Sequence, residues 1–280
     1  MVENKLEKNY SLFSAQYEKL YKKHLLAFIE NAKQNPDSVS GDYTLFYPSC
    51  GSDNKKDIQF LIYGQAPNKW SVNFNPFDKN LTIDNIIDHS ISQSNELDEK
   101  EPKQTSPLEW IETNWSENKF HRSYFWCVTF GIISSVMHNM KSINTELYKK
   151  FYYQSNSDWF KNFVWSNLAK IAPSVGGNPK GELMLQLEYS KLLFEKEIEE
   201  INPKYILLLT NWKNWAENYL TQDNYNIKHL KKNDAVDAIA YSRVTNSKIL
   251  ICKRPHKIGG HKRNSNAANE ILKVIYDENK

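Results

Sequence analysis

The sequence predicts an α/β fold of three layers, in which helices cover both faces of a mainly parallel sheet. Short apolar runs alternate with amphipathic segments of helical length, and this alternation is typical of parallel sheets with crossover helices. The run YILLLT at residues 205–210 is typical of a buried strand, and it follows a helical pattern that stops at Asn202 and Pro203. Ligands bind beyond the carboxyl ends of such strands, so the loops there are candidate sites.

Apolar residues at three- and four-residue spacing predict the helices. This spacing occurs in residues 9–33, 120–140 and 183–201, in a short stretch after Trp212, and in a closing helix. The closing helix is marked by Ala268, Ile271, Leu272 and Ile275. We expect residues 1–35 to form an N-terminal helical extension that packs on the outside of the core.

Short apolar runs rich in β-branched and aromatic residues predict the strands. The first core strand is expected at residues 58–63, a short buried segment at 163–171, and further strands at 205–210, 239–244 and 248–252. Residues 73–114 are polar and charged, so we expect a long surface excursion there. The pattern contains no internal repeat, and we interpret residues 1–280 as a single domain with a core at 56–276.

Composition limits the classes of partner. The chain has 280 residues with 36 basic and 33 acidic side chains, so its formal net charge is only +3 and any anion-binding surface must be local. Cys50, Cys127 and Cys252 are isolated, which argues against a zinc site, an iron–sulfur cluster or a redox dithiol. The sequence has neither a signal-peptide pattern nor an apolar run of membrane-spanning length. We expect a soluble cytoplasmic protein, a monomer without membrane contact, cofactor or metal.

The stretch GQAPN at residues 64–68 follows the first predicted strand. Gly64, Gln65, Pro67 and Asn68 are ordinary turn residues, and on their own they predict a plain turn as readily as a binding loop. The stretch has neither the glycine–lysine spacing of a phosphate-binding P-loop nor the three glycines of a dinucleotide fingerprint. Nucleoside triphosphates and NAD are therefore poor candidates for its ligand.

A second candidate loop lies within FVWSNLAKIAPSVGGNP at residues 163–179. Asn167 ends an apolar segment, and an asparagine amide both donates and accepts hydrogen bonds, as recognition of a nucleobase edge requires. A helix cap or turn is an equally good interpretation of Asn167. Lys170 is a candidate phosphate contact, although a solvated lysine fits the same pattern.

The strongest local signal is the basic loop CKRPHKIGGHKRN at residues 252–264. Its basic members are Lys253, Arg254, His256, Lys257, His261, Lys262 and Arg263. Two glycines let the backbone approach a ligand closely, and the basic groups predict charge-assisted hydrogen bonds to phosphates. A solvated basic loop before a helix is the plainer interpretation. A metal site on His256 and His261 is disfavoured because no third ligand has suitable spacing.

Together these stretches resemble the motifs of the uracil-DNA glycosylase superfamily, in the same order along the chain. GQAP at 64–67 is similar to the first motif of that family, which follows its first strand. SNLAKIAPSVGGNP at 166–179 and KEIEEINPKYILLLTNW at 196–212 resemble two middle segments of its thermophile-type members. RPHKIGGH at 254–261 occupies the place of the family's late histidine loop, which enters the DNA minor groove.

The resemblance implies a three-layer α/β/α sandwich around a central, mainly parallel four-stranded sheet, and a site for a base flipped out of DNA. By this resemblance Gln65, Asn167 and His256 are the catalytic residues, and Gly64, Pro67, Asn68, Phe125, Trp126, Lys170, Arg254, Lys257, His261 and Lys262 bind the substrate. Asn167 would recognise the base edge, and His256 would stabilise negative charge on the departing base. Phe125 or Trp126 would form the stacking wall of the pocket.

Several positions depart from the family pattern. Ala66 stands where the double-strand-active enzymes carry a water-activating aspartate, and Gln65 stands where other members carry glutamate, so neither provides a general base. Lys257 replaces the proline that follows the loop histidine. Ile171 replaces a cysteine that binds the iron–sulfur cluster in the thermophile-type members, so no cluster is expected.

These observations leave three functions open. The leading expectation is a uracil-DNA glycosylase-like protein that binds a nucleobase or nucleic acid, DNA above all, with hydrolysis of an N-glycosidic bond of a modified base as the implied reaction. The alternative is a catalytically inactive module on the same fold that binds nucleic acid, a nucleotide or a protein. The third is a hydrolase of free nucleosides or another small molecule, with residues 73–114 as a lid.

Overall fold

The computed structural model describes residues 12–39, 41–52, 54–67, 72–95, 123–154, 157–231, 233–254 and 261–277. Within these ranges the chain forms seven α-helices, a seven-stranded mixed sheet and a separate three-stranded sheet. The predicted α/β class is therefore confirmed. Among the helices of these ranges, none combines the length and the apolar character that crossing a bilayer requires.

The elements have the following bounds. The helices are α1 (Ala15–Gln34), α2 (Ile83–Asn95), α3 (Tyr124–Met137), α4 (Thr145–Gln154), α5 (Gly181–Ile201), α6 (Glu217–Tyr219) and α7 (His261–Tyr276). The strands are β1 (Tyr43–Leu45), β2 (Ser49–Cys50), β3 (Phe60–Gly64), β4 (Asn73–Phe74), β5 (Phe163–Asn167), β6 (Ile171–Pro173), β7 (Tyr205–Leu208), β8 (Tyr225–His229), β9 (Val236–Ser242) and β10 (Lys248–Cys252). β4, β1 and β6 form the small sheet in that order.

The large sheet has the strand order β2, β5, β3, β7, β10, β9, β8. Its four central strands, β5, β3, β7 and β10, run parallel, whereas the other three join it in antiparallel pairs. The prediction of a four-stranded sheet is thus corrected to seven strands. Of the outer strands, β9 was predicted, at residues 239–244, whereas β2 and β8 were not. Neither of these two contains an apolar run, since β2 has two residues and Tyr225 is the one buried residue of β8.

Helices cover both faces of the large sheet. Along β3, the side chains of Leu61 and Tyr63 belong to an apolar cluster shared with α1, α2 and α5. Those of Phe60 and Ile62 belong to a second cluster, shared with α3, α4 and α7. Successive side chains of a strand point to opposite faces, so a continuous apolar run is buried on both sides. Three layers follow from this arrangement.

Part of the predicted polar excursion is built into the core. Of residues 73–114, the structure describes 73–95, which contain β4 and α2. Ile86 of α2 is buried, and the hydroxyl of Ser90 shares a hydrogen bond of 2.8 Å with that of Tyr21. Serines with partners inside the fold make a sequence look polar without placing it in solvent. The rest of the segment lies outside the described residues.

α1 packs against α5 through a buried histidine. His24 is fully buried, with Nε2 at 3.1 Å from the hydroxyl of Ser190, while Nδ1 has no hydrogen-bond partner among the residues that the structure describes. Burial, assisted by the positive charge of Lys170, lowers the pKa of His24 from 6.5 to about 3. His24 is therefore neutral in the folded protein near pH 7.

Stability should fall with acidification from pH 6.5 towards pH 3, the interval between the two pKa values of His24. In this interval the unfolded chain binds a proton that the folded chain excludes, so the free energy of unfolding falls by up to about 1.4 kcal/mol per pH unit. His24→Gln should remove this contribution, whereas His89→Gln, at an exposed position of α2, should leave it intact. Urea titrations at several pH values measure the slopes, and equal slopes for wild type and His24→Gln would refute the assignment.

Candidate functional site

The candidate site lies at the carboxyl edge of the parallel strands, where the loops after β3 and β5 run side by side. β3 and β5 pair in a register that places Gly64 opposite Asn167. The pairing continues beyond the strands, since the carbonyl of Gly64 accepts a hydrogen bond from the Leu168 amide at 3.0 Å. The carbonyl of Gln65 accepts one from the Ala169 amide at 2.9 Å. Two loops that are distant in sequence are therefore fixed against each other.

Gly64 occupies a position that has no room for a side chain. A Cβ atom there would lie 2.5 Å from Oδ1 of Asn167 and 3.8 Å from Cε2 of Phe125. The first distance is well inside van der Waals contact, so any larger residue would displace the Asn167 amide. A glycine backbone, an amide and an aromatic ring thus meet at one point.

The side-chain amide of Asn167 is buried with a free donor. The residue is 2% exposed, and its Nδ2 has no hydrogen-bond partner among the described residues. An unsatisfied buried donor costs about 1–3 kcal/mol, and such groups are rare in folded proteins. A ligand that brings an acceptor oxygen or nitrogen to this atom would remove that penalty. Asn167 is therefore equipped to recognise a polar edge.

Gln65 has both ends of its amide engaged by the protein. Its Nε2 donates to the carbonyl of Thr210 at 2.9 Å, just beyond β7, and its Oε1 accepts from Nδ2 of Asn178 at 2.7 Å. The side chain is buried, and it ties the loop after β3 to two neighbouring loops. This geometry gives Gln65 a positioning role for the loop, because both amide atoms are hydrogen-bonded to neighbouring loops.

The two aromatic candidates for a stacking wall occupy different environments. Phe125 is half-buried beside Gly64, in the first turn of α3. Trp126 is 8% exposed and makes edge contacts with Phe125 and with Trp165, at ring-centre distances of 4.7 and 5.0 Å. Phe125 is therefore the ring at the site, and Trp126 supports it from the core.

The prediction that Lys170 contacts a ligand is corrected by its burial. Its side chain is 1% exposed, and its ammonium lies 2.7 Å from Oε1 of Glu197. The ammonium also donates to the hydroxyl of Ser166 at 2.5 Å and to the backbone carbonyl of Asn167 at 2.7 Å. Burial lowers the pKa of Lys170, and the charge of Glu197 opposes that shift. With its donors used inside the fold, Lys170 holds the end of β5.

Glu197 is the acceptor at the centre of this buried network. Besides the Lys170 ion pair, its carboxylate accepts hydrogen bonds from the hydroxyls of Tyr17 (2.6 Å), Tyr63 (2.7 Å) and Ser166 (2.8 Å). Burial, followed by the charge of Glu197, raises the pKa of both tyrosines well above 10. The carboxylate is saturated with donors, so it has no lone pair positioned to act as a general base.

The sequence contains a pattern that predicts the burial of Glu197, and comparison of motifs does not use this pattern. Within α5, the buried apolar positions Phe194, Ile198 and Ile201 mark the face of the helix that packs on the sheet. Glu197 falls on this face at the same three- and four-residue spacing, and it is fully buried. A carboxylate on an apolar helix face requires a buried partner, and Lys170 meets that requirement.

The remaining predicted site residues are described only in part. Pro67 is buried, whereas Arg254 and Lys262 are exposed. Asn68, His256, Lys257 and the side chain of His261 lie outside the described residues, so the roles that the resemblance implies for them stay predictions.

The described residues contain no group of three or more histidine, cysteine, aspartate or glutamate side chains placed to hold a metal ion. None of the three cysteines, all within the described ranges, is in a disulfide bond. Burial raises the pKa of Cys50 to about 12 and that of Cys127 to about 11. Burial also raises the pKa of Cys252, with a smaller contribution from the charge of Asp237. Thiolates are the reactive form of cysteine, so nucleophilic chemistry by these residues is disfavoured near neutral pH.

Breaking the buried ion pair should destabilise the fold strongly. Lys170→Met leaves the Glu197 carboxylate buried without its cation, which should lower the free energy of unfolding by about 3–5 kcal/mol. Adding Glu197→Gln should recover part of this loss, because a neutral amide still accepts hydrogen bonds from the surrounding hydroxyls. Lys196→Met removes ion pairs with Glu199 and Glu200 at the surface of α5 and should lower the free energy of unfolding by less than about 1 kcal/mol. Urea unfolding of wild type, Lys170→Met, Glu197→Gln, the double variant and Lys196→Met measures these changes, and strictly additive effects of Lys170→Met and Glu197→Gln would contradict the coupling.

Comparisons with family models, curated proteins and solved structures find no match for this chain. Three features of the molecule point to a ligand: the donor of Asn167, the ring of Phe125 and the absent side chain at Gly64, all at the carboxyl edge of the parallel strands.

Proposed function

We propose that this protein binds a nucleobase presented by a nucleic-acid strand, in a pocket formed by Gly64, Phe125 and Asn167. The buried Nδ2 of Asn167, which has no partner among the described residues, is the observation that carries the proposal. The same residues have this role in the resemblance to the uracil-DNA glycosylase superfamily. The resemblance and the geometry are independent arguments for the same residues.

A nucleobase fits the chemistry of this pocket. Its flat ring stacks on an aromatic side chain, and stacking of a base on an aromatic ring contributes about 1–3 kcal/mol. Its edge carries carbonyl oxygens or ring nitrogens that accept a hydrogen bond from an amide donor. Phe125 offers the ring and Asn167 the donor, and the absent side chain at Gly64 leaves room for the Asn167 amide beside it. A base must leave the helical stack to reach such a site, so a single strand or an extruded base is the expected substrate.

The charges near the pocket favour a nucleic acid over a free base. Lys253, Arg254, Lys262 and Arg263 follow β10 or begin α7, at the same edge of the sheet as the pocket. The whole chain has a net charge of only +3. The positive charge is therefore concentrated where a phosphate backbone would pass.

The environment of the carboxylates favours binding of a base without hydrolysis of its N-glycosidic bond. Glu197 is saturated by its ion pair and three hydroxyls, and Ala66 stands where the resemblance would require a water-activating aspartate. One observation supports N-glycosidic hydrolysis as a second candidate. The free donor of Asn167 is a group that would stabilise charge on a departing base.

Removing the donor or the ring should weaken binding of a uracil-containing single strand. Asn167→Ala and Phe125→Ala should each raise the Kd by about five- to thirtyfold, because one hydrogen bond or one stacking contact is lost. Gly64→Ala should act similarly by displacing the Asn167 amide. Asn226→Ala, at an exposed position of the outer strand β8, is the matched control.

Fluorescence anisotropy with labelled oligonucleotides measures these affinities. An oligonucleotide with a single abasic site in place of uracil should bind wild type and Asn167→Ala equally, because it lacks the base that the amide contacts. The proposal fails if wild type and Asn167→Ala bind the uracil strand with the same affinity.

Wild-type protein should release no base above background from oligonucleotides that contain uracil, hypoxanthine or xanthine. The reason is the absence of an available carboxylate base among the described residues of the pocket. Alkaline cleavage of labelled strands after incubation measures base release. Release by wild type that disappears in Asn167→Ala would instead establish the hydrolytic candidate, whereas release that persists in this variant would indicate a contaminating enzyme.

A further inference from the structure

A concave surface lies next to the candidate base pocket. It is an open cleft of about 210 Å³ between the first turns of α3 and α7, with the end of β10 as its floor. Tyr124 lines it from α3, next in sequence to Phe125 of the base pocket. The cleft and the pocket are therefore adjacent along the carboxyl edge of the sheet.

Most charged residues in the lining of this cleft are cations. They are Lys253, Arg254 and Arg263, and Asp234 is the acidic residue of the lining. The guanidinium of Arg263 lies over the ring of Tyr124, with 5.9 Å from Cζ to the ring centre, and this contact orients it. The ammonium of Lys253 donates to the carbonyl of Asn233 at 2.8 Å.

The position of these cations is unfavourable for the folded chain alone. Lys262 and Arg263 lie in the first turn of α7, which contains no acidic residue. The positive end of the helix dipole is at this turn, so cations there are repelled, whereas an anion is attracted. An anion bound in the cleft would attract both the cations and the helix end, and this attraction would offset their mutual repulsion. The cleft thus has the charge and the concavity of an anion site.

We propose that this cleft binds a backbone phosphate of the nucleic-acid strand whose base occupies the neighbouring pocket. This inference rests on the proposed function for the identity of the ligand. Tyr124 and Phe125 are consecutive, so one strand reaches both surfaces: its base stacks on Phe125, and a phosphate next to it meets Arg254 and Arg263. The class of substrate is therefore a phosphate-bearing strand, as opposed to a free base or nucleoside.

The test compares two labelled single strands, one with a uracil and one with an abasic site at the same position. Arg263→Gln and Arg254→Gln should each weaken binding of both strands by the same factor, on the order of tenfold at low salt. Each should also reduce the slope of log affinity against log salt concentration by about 0.7, the value for one phosphate contact on a single strand. Arg243→Gln is the matched control, because Arg243 is exposed in the turn before β10, at the opposite edge of the sheet.

The outcomes separate this inference from the proposed function. If Arg263→Gln and Arg254→Gln bind both strands as Arg243→Gln does, with equal salt slopes, the phosphate site is refuted. If these two variants lose affinity for both strands while Asn167→Ala binds both as wild type does, the phosphate site stands and the base pocket is refuted. Thermal unfolding of each variant, with a midpoint equal to that of wild type, shows that the affinities refer to folded protein.

Discussion

A buried ion pair between Lys170 and Glu197 holds together the elements that carry the candidate site. Removing two charges from water is expensive, and their attraction compensates only when the geometry is good and the other polar atoms are satisfied. Here the Glu197 carboxylate accepts from three hydroxyls, and the Lys170 ammonium donates to a hydroxyl and a carbonyl. These partners come from α1, β3, β5 and α5, so four elements share one electrostatic centre.

This centre fixes Asn167 without using its side chain. The ammonium of Lys170 binds the backbone carbonyl of Asn167, and the register of β3 with β5 sets that residue against Gly64. The backbone is held from two directions, while the Nδ2 atom stays without a partner among the described residues. A donor that is held rigidly and left unsatisfied is ready for a ligand, because little entropy is lost when the ligand binds. The ion-pair network therefore fixes the backbone that positions the Asn167 amide.

The sequence was most informative where a residue pattern depends on one element alone. Apolar spacing predicted α5, and apolar runs predicted β3, β7 and β10, close to their observed bounds, whereas α7 was predicted from residues 268–275 without bounds. It also placed the loops that carry Gly64 and Asn167 at the carboxyl edge of the sheet, where the structure pairs these two residues. α2 was missed because several of its polar residues have partners inside the fold, and β8 was missed because most of its residues are not buried.

The role of Lys170 could not be predicted from its own loop. A lysine beside a proline- and glycine-rich stretch is ordinarily solvated, and only the position of Glu197 on the buried face of α5 changes that expectation. Pairing of this kind depends on which elements the tertiary fold brings together. The same limit applies to Gln65, whose partners Thr210 and Asn178 lie in two other loops.

Topology concentrates positive potential at the site although the composition is nearly neutral. A helix that crosses over from a parallel strand begins at the carboxyl edge of the sheet, so its positive dipole end faces that edge. α3 and α7 both begin there, and neither has an acidic residue in its first turn. Arg254 and Arg263 add their charges at the same place, whereas Arg243 lies at the opposite edge. Overall charge therefore says little about where this fold carries its positive charge, because two helix ends and the basic side chains beside them come together at one edge of the sheet.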